Sequence, residues 1–162
     1  MKRLIVLMGV SASGKSTIAS KLSEIKALPY LEGDEFHPET NIKKMSRGIP
    51  LTNTDRKAWI DAMAKAVAEH KSETILLSCS ALNTFVRNRL KKECGREVTW
   101  IYLKVSRENL DRRIQERENH FMQASLLNSQ LSAMEPPNDC LCVDANKTVA
   151  DIVDQIDIAL SL

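Results

Sequence analysis

The chain has 162 residues, 43% of them hydrophobic, enough for one domain with a real core that needs neither disulfides nor a structural metal. Its 23 basic and 21 acidic side chains leave a net charge of +2, so no global electrostatic case exists for nucleic acid or an acidic membrane surface. The four cysteines, Cys79, Cys94, Cys140 and Cys142, show no CxxC spacing, and three lie in apolar runs, which points to reduced thiols in a cytoplasm.

The first predicted element is a strand, Leu4-Ile5-Val6-Leu7-Met8. With Met1-Lys2-Arg3 before it and Ser11-Ala12-Ser13 after it, this run imitates a short secretion signal. It sits at the short limit for one, and cleavage would destroy the loop that follows. That loop, Gly9-Val10-Ser11-Ala12-Ser13-Gly14-Lys15-Ser16, leads into a helical pattern over 15–26. Further strands are predicted at Pro29 to Gly33, Thr74 to Cys79, Val98 to Val105 and Cys140 to Val143. Helical patterns lie between them at 54–71, 83–93 and 107–117, with a last one from Val149 to Leu160. Nothing approaches the ~20 apolar residues of a membrane-spanning helix. Strands alternating with helices predict one α/β domain over 1–162, a three-layer sandwich on a parallel sheet of about five strands, with ligands at the carboxyl ends of the strands.

Gly9-x-x-x-x-Gly14-Lys15-Ser16 is a complete phosphate-loop pattern, preceded by the strand and followed by the helix that the pattern requires. Its backbone N–H groups and the helix N-terminus suit nucleotide phosphates, Lys15 suits the β and γ oxygens, and the Ser16 hydroxyl suits Mg²⁺. Gly9, Ser11, Ala12, Ser13, Gly14, Lys15, Ser16 and Thr17 are therefore the predicted nucleotide contacts. Ala12 stands where such loops often carry glycine, and we expect it at negative φ, where the methyl costs nothing. A GTPase is excluded, because Asn146-Lys147-Thr148 is followed by Val149, not by the aspartate of a base-reading Asn-Lys-x-Asp.

The segment from Leu31 to Trp59 is dense in polar groups and reads as an acceptor site. Asp34 lies at the carboxyl end of its strand, either as a base for an attacking hydroxyl or as a helix cap. His37 either donates to a substrate oxygen or fixes the Pro38 turn. Arg56 offers a planar fork for a carboxylate, or else an ion pair with Asp55 or Asp61. Arg113 and Arg117 are four apart on one helix face, ahead of a polar run from Glu118 that reads as a lid over 117–136, weak in apolar runs. These arginines either reach the transferring phosphoryl group or form a solvated face.

"GDEFHPETNIKKMSRGIPL", "TDRKAW", "SCSALNTFVRNRL" and "RRIQERENHFMQASLLNSQLSAMEPP" together closely resemble bacterial gluconokinases, small phosphate-loop kinases of the shikimate-kinase and adenylate-kinase-like group. The resemblance implies transfer of the γ-phosphate of ATP to the 6-hydroxyl of D-gluconate, with Mg²⁺, a helical lid and a homodimer. It implies catalytic roles for Lys15, Asp34 and Arg117, a nucleotide contact for Arg113, and substrate contacts for Asp34, His37, Lys44, Arg56, Arg87, His120 and Gln130. The chain departs from the family pattern at Ala12, Asn53, Ala58, Phe85 and Leu131. Of these, Ala58 in place of proline is expected to loosen the start of the helix that Trp59 opens. The alternatives are a kinase of another small hydroxylated acid, such as shikimate or a different aldonate, and a nucleotide-binding module without acceptor chemistry.

Overall fold

The computed structural model describes residues 1–117 and 125–162. Five parallel strands, β1 (Arg3–Met8), β2 (Tyr30–Glu32), β3 (Thr74–Ser78), β4 (Glu97–Lys104) and β5 (Leu141–Asp144), form one sheet in the order β2-β3-β1-β4-β5. β1 is central, and Leu4 to Met8 are all fully buried, which is why the strand reads as an unbroken apolar run and not as an alternation.

The pleat divides that run between two cores. Leu4, Val6 and Met8 face α3 (Asn53–Glu69) and α4 (Thr84–Glu93) through Trp59, Ile60, Met63 and Leu90. Ile5 and Leu7 face α1 (Lys15–Lys26) and α7 (Val149–Leu160) through Ile18, Leu22, Val153 and Ile156. The result is the predicted three-layer sandwich. α5 (Arg107–Glu116) and α6 (Ser125–Ala133) stand at the carboxyl end of the sheet, where Leu110 and Leu127 pack with Val10, Ala12 and Leu82. Among the described residues, no helix is long and apolar enough to cross a membrane.

The polar segment after β2, where the sequence predicts no element before 54, holds two: a 3₁₀ turn, Gly33–Phe36, and the short helix α2 (Glu39–Ser46). Lys44 fastens α2 to the start of α3 by donating to both Asp55 carboxylate oxygens, at 3.0 and 2.9 Å. Asn41 adds a bond from Nδ2 to Asp55 O at 2.9 Å. α3 itself opens on a capping box, in which Thr52 Oγ1 accepts from Asp55 N and Asp55 Oδ2 accepts from Thr52 N. Trp59 therefore lies in the second turn, and Ala58 does not loosen the helix start.

The expected lid is described only in part, because 118–124 lie outside the described residues. The rest is less loosely apolar than expected: Leu126 and Leu127 of α6 are 3% and 1% exposed and anchor that helix on the core.

Candidate active site

The phosphate-binding loop runs from the carboxyl end of β1 to the N-terminus of α1. Gly9 has φ +153°, and a Cβ there would stand 2.7 Å from Ser13 Oγ, so the first glycine is required by contact as well as by conformation. Ala12 has φ +66°, which overturns the expectation of a negative angle. The loop places this residue in the left-handed region, and alanine is strained there by roughly 1 kcal/mol. Its methyl is 4% exposed and packs with Val10, Leu82, Leu110 and Leu127, an apolar burial of about 0.8 kcal/mol that offsets most of the strain. Ala12→Gly, which relieves the strain and loses the contact, is therefore expected to melt within about 2 °C of the parent. A calorimetric shift beyond 5 °C in either direction would show that one of the two terms dominates.

Lys15 Nζ donates to Val10 O at 2.9 Å and faces a crevice of about 560 Å³ at the carboxyl end of the sheet. Burial lowers its pKa, with Arg117 adding to the effect and Asp34 and Glu32 opposing it. The ammonium is thus held in a partly dehydrated place under the influence of the Asp34 and Glu32 carboxylates and the Arg117 guanidinium.

The same crevice brings together Ser16, Asp34, His37, Arg56, Arg117 and Gln130. The helix-cap reading of Asp34 falls to another residue, since Glu32 caps the 3₁₀ turn by accepting from Asp34 N at 3.3 Å. That leaves the Asp34 carboxylate on the crevice wall, where its charge opposes the lowering that burial imposes on the pKa of both Lys15 and Arg117. His37 stacks on Trp59 with ring centroids 4.4 Å apart and planes 11° apart. Burial and the neighbouring Arg56 push its pKa down to about 4, so the imidazole is neutral near pH 7. Arg56 bonds Asn53 Oδ1 at 3.1 Å; the predicted carboxylate partners are taken, Asp55 by Lys44 and Asp61 by Arg89. Among the described residues Arg56 therefore forms no ion pair within 4.0 Å on the crevice wall; burial lowers its pKa, and the charge of Asp55 opposes this.

Arg113 and Arg117 both reach the phosphate-binding loop. Arg117 Nη1 donates to Ser11 Oγ at 3.0 Å, while Arg113 donates to Ala12 O at 3.2 Å and Ala145 O at 2.9 Å. Arg113 lines a second cleft of about 380 Å³ with Ala12, Ser13, Gly14 and Thr17, on the other side of the loop. Gln130 Oε1 accepts from Ser11 N at 2.6 Å, so α6 also touches the loop.

Two predicted substrate residues are committed elsewhere. Lys44 holds Asp55, and Arg87 donates to Ala81 O and Glu135 O at 2.7 and 2.6 Å, tying α4 to the segment after α6; neither lines the crevice. His120 lies outside the described residues.

The residue that sequence reasoning missed is Glu32. Its carboxylate accepts from Ser16 Oγ, from Tyr30 Oη, from Ser78 Oγ at 2.7 Å and from Asp34 N. Burial alone would raise its pKa, but these hydrogen bonds outweigh it and hold the group below the usual carboxylate value. Burial and the bond to Glu32 push Tyr30 up to about 12. A carboxylate two residues before Asp34, at the same strand end, was the available signal.

The comparisons agree with this geometry. The profile of a family described as "AAA domain" matches residues 4–137. The thermosensitive gluconokinase of Escherichia coli K12 is 37% identical over 156 residues, covering 93% of this chain and 83% of that protein. Among solved structures, a gluconokinase from Sinorhizobium meliloti 1021 superposes with a TM-score of 0.85 at 38% identity, over 97% of this chain and 90% of the other. An unliganded sugar kinase from Janibacter sp. HTCC2649 superposes with a TM-score of 0.90 at 34% identity, over 99% and 95%. With a complete phosphate-binding loop and relatives of this identity over nearly its whole length, the chain belongs to the gluconokinase family of phosphate-loop kinases.

Proposed function

We propose that this chain transfers the γ-phosphate of ATP to the 6-hydroxyl of gluconate, giving 6-phosphogluconate and ADP. The observation that carries the reading is one crevice with a donor wall of Lys15, Ser16 and Arg117 and an acceptor wall of Asp34, His37 and Arg56. Triphosphate and gluconate bring roughly five negative charges to it, and two cations on the donor side with one on the acceptor side answer them. The substrate hydroxyl oxygen bonds to the γ-phosphorus as the bond to the bridging oxygen breaks. ADP leaves with that electron pair, and Asp34 takes the hydroxyl proton.

Ser16 and Glu32 fit Mg²⁺, being two hard oxygen donors in direct contact at the mouth of the phosphate-binding loop. When bound, the ion supplies charge neutralisation on the phosphate oxygens. Neutral His37 suits a sugar hydroxyl better than an anion, so the carboxylate of gluconate falls to Arg56. Movement of the segment over 117–136 as a lid, a homodimer and a cytoplasmic location complete the proposal, the last supported by four free cysteines.

Arg56→Lys keeps the charge and loses the fork. It is expected to raise the gluconate KM about tenfold while leaving the ATP KM within twofold, read from steady-state kinetics. Equal changes in both constants would remove Arg56 from the acceptor side. Phosphate transfer to a panel of aldonic acids, shikimate and nucleoside monophosphates tests the acceptor itself. Preference for another acid would replace gluconate, and transfer to none would leave a nucleotide-binding module.

A further inference from the structure

We propose that Trp59 is a positioning residue for phosphoryl transfer: its indole N–H holds the Gly33 carbonyl and its ring face holds His37, so one buried side chain aims both Asp34 and His37 into the crevice.

Trp59 is 2% exposed, and its Nε1–H donates to Gly33 O at 2.8 Å. A buried indole usually finds an acceptor, so the bond itself is ordinary; what distinguishes this one is that the accepting peptide leads directly into Asp34. Gly33 has no slack on its other side. A Cβ there would lie 2.2 Å from Ser78 O, so the main chain is pressed onto β3 where only glycine fits. With its carbonyl held by Trp59 and its N–H held by Glu32, the Gly33–Asp34 peptide that leads into the carboxylate-bearing residue is fixed at both of its polar groups.

The same ring fixes the far end of the turn. His37 N donates to Asp34 O at 3.4 Å, and the imidazole lies nearly parallel to the indole. Asn41 Nδ2, 3.4 Å from Nδ1, restrains its rotation about that stack. Catalysis by placement is sensitive to such supports, because a misplacement of about 1 Å can cost 10²-fold. A tryptophan that merely filled the core would affect the two crevice residues no more than the other buried side chains of α3 do.

The proposal rests on Asp34 as the group that takes the hydroxyl proton. Trp59→Phe preserves an aromatic face for His37 and most of the volume but removes the N–H. Its kcat is expected to fall about tenfold, with the KM values for ATP and gluconate within about threefold of the parent. A kcat within twofold of the parent overturns the proposal. In an Asp34→Asn background the same substitution should cost less than about threefold, since the group it positions is gone. A full tenfold loss there means a general structural effect and also overturns it.

Should Asp34→Asn turn over normally, the base assignment fails by itself, and the indole N–H signal then judges Trp59. The chain has two tryptophans, and the cross-peak absent in Trp59→Phe identifies this one. That cross-peak is expected to exchange slowly and to move on addition of gluconate to the parent protein. An unmoved cross-peak overturns the role of Trp59 at the acceptor side.

Discussion

Lys15→Ala is expected to lower kcat at least about 10²-fold without unfolding the protein. The ammonium is already placed before any ligand arrives, bonded to Val10 O at 2.9 Å and aimed along the crevice that Ser16 and Asp34 also line. Among the described residues it forms no ion pair within 4.0 Å, and its lowered pKa records the burial of a charge that the protein neutralises only at a distance. Such a charge works against folding and is retained for what it does to a ligand. The melting temperature of the variant should therefore stay within a few degrees of the parent while turnover collapses. Calorimetry together with single-turnover kinetics separates the two effects. Normal turnover would remove the phosphate-loop assignment, and loss of the folded state would make Lys15 a structural residue.

The fold was legible because its signals are local and repeated. β1 reads as a buried strand from five successive apolar residues, and the loop pattern immediately behind it fixes which end of the sheet carries the site. α3 was placed within one residue at its start, because a long periodic pattern follows the Thr52 cap. The turn at Gly33–Phe36 and helix α2 were not legible: they are short, polar and held by contacts distant in sequence, such as Lys44 with Asp55 and Trp59 with Gly33. Propensity carries little information for segments of four to eight residues whose stability is tertiary.

The site divides in the same way. Lys15, Ser16 and Asp34 could be located because a motif or a strand end specifies the direction of each. Lys44 and Arg87 could not be separated from Arg56 by residue type. All three are cations in polar surroundings, and only the packing decides that Lys44 meets a carboxylate and Arg87 meets two carbonyls while Arg56 bonds the neutral Asn53 side chain on the crevice wall. Ala12 was misjudged because the motif leaves its position free although the backbone does not, at φ +66°. Glu32 belongs to no motif, yet the alternation that puts Tyr30 and Glu32 on one side of β2 also lets the tyrosine and Ser78 hold that carboxylate toward Ser16.

Asp34→Asn is the more discriminating expectation, since it removes the basicity and charge of the carboxylate while keeping its shape. The amide retains size and polarity, the Gly33 and Glu32 contacts are made by backbone atoms that the substitution leaves in place, and the nucleotide side keeps Lys15, Arg117 and the loop N–H groups. The kcat should fall about 10²-fold or more, with the ATP KM within about threefold, because general base catalysis contributes 10²- to 10⁴-fold where it operates. A second consequence follows from the charges. Burial lowers the pKa of both Lys15 and Arg117 and Asp34 opposes that shift more strongly than Glu32 does, so removing it takes away the carboxylate that most favours the two charges. ADP, which carries negative charge to the same place, should then bind as tightly as before or more tightly, measured by calorimetric titration. Slow turnover with undiminished ADP affinity is the signature of a lost base. Slow turnover with weakened ADP affinity would mean that the carboxylate organises the donor wall. Unchanged turnover would make Asp34 a charge-balancing group and leave the phosphoryl oxygens to accept the proton late in the transfer.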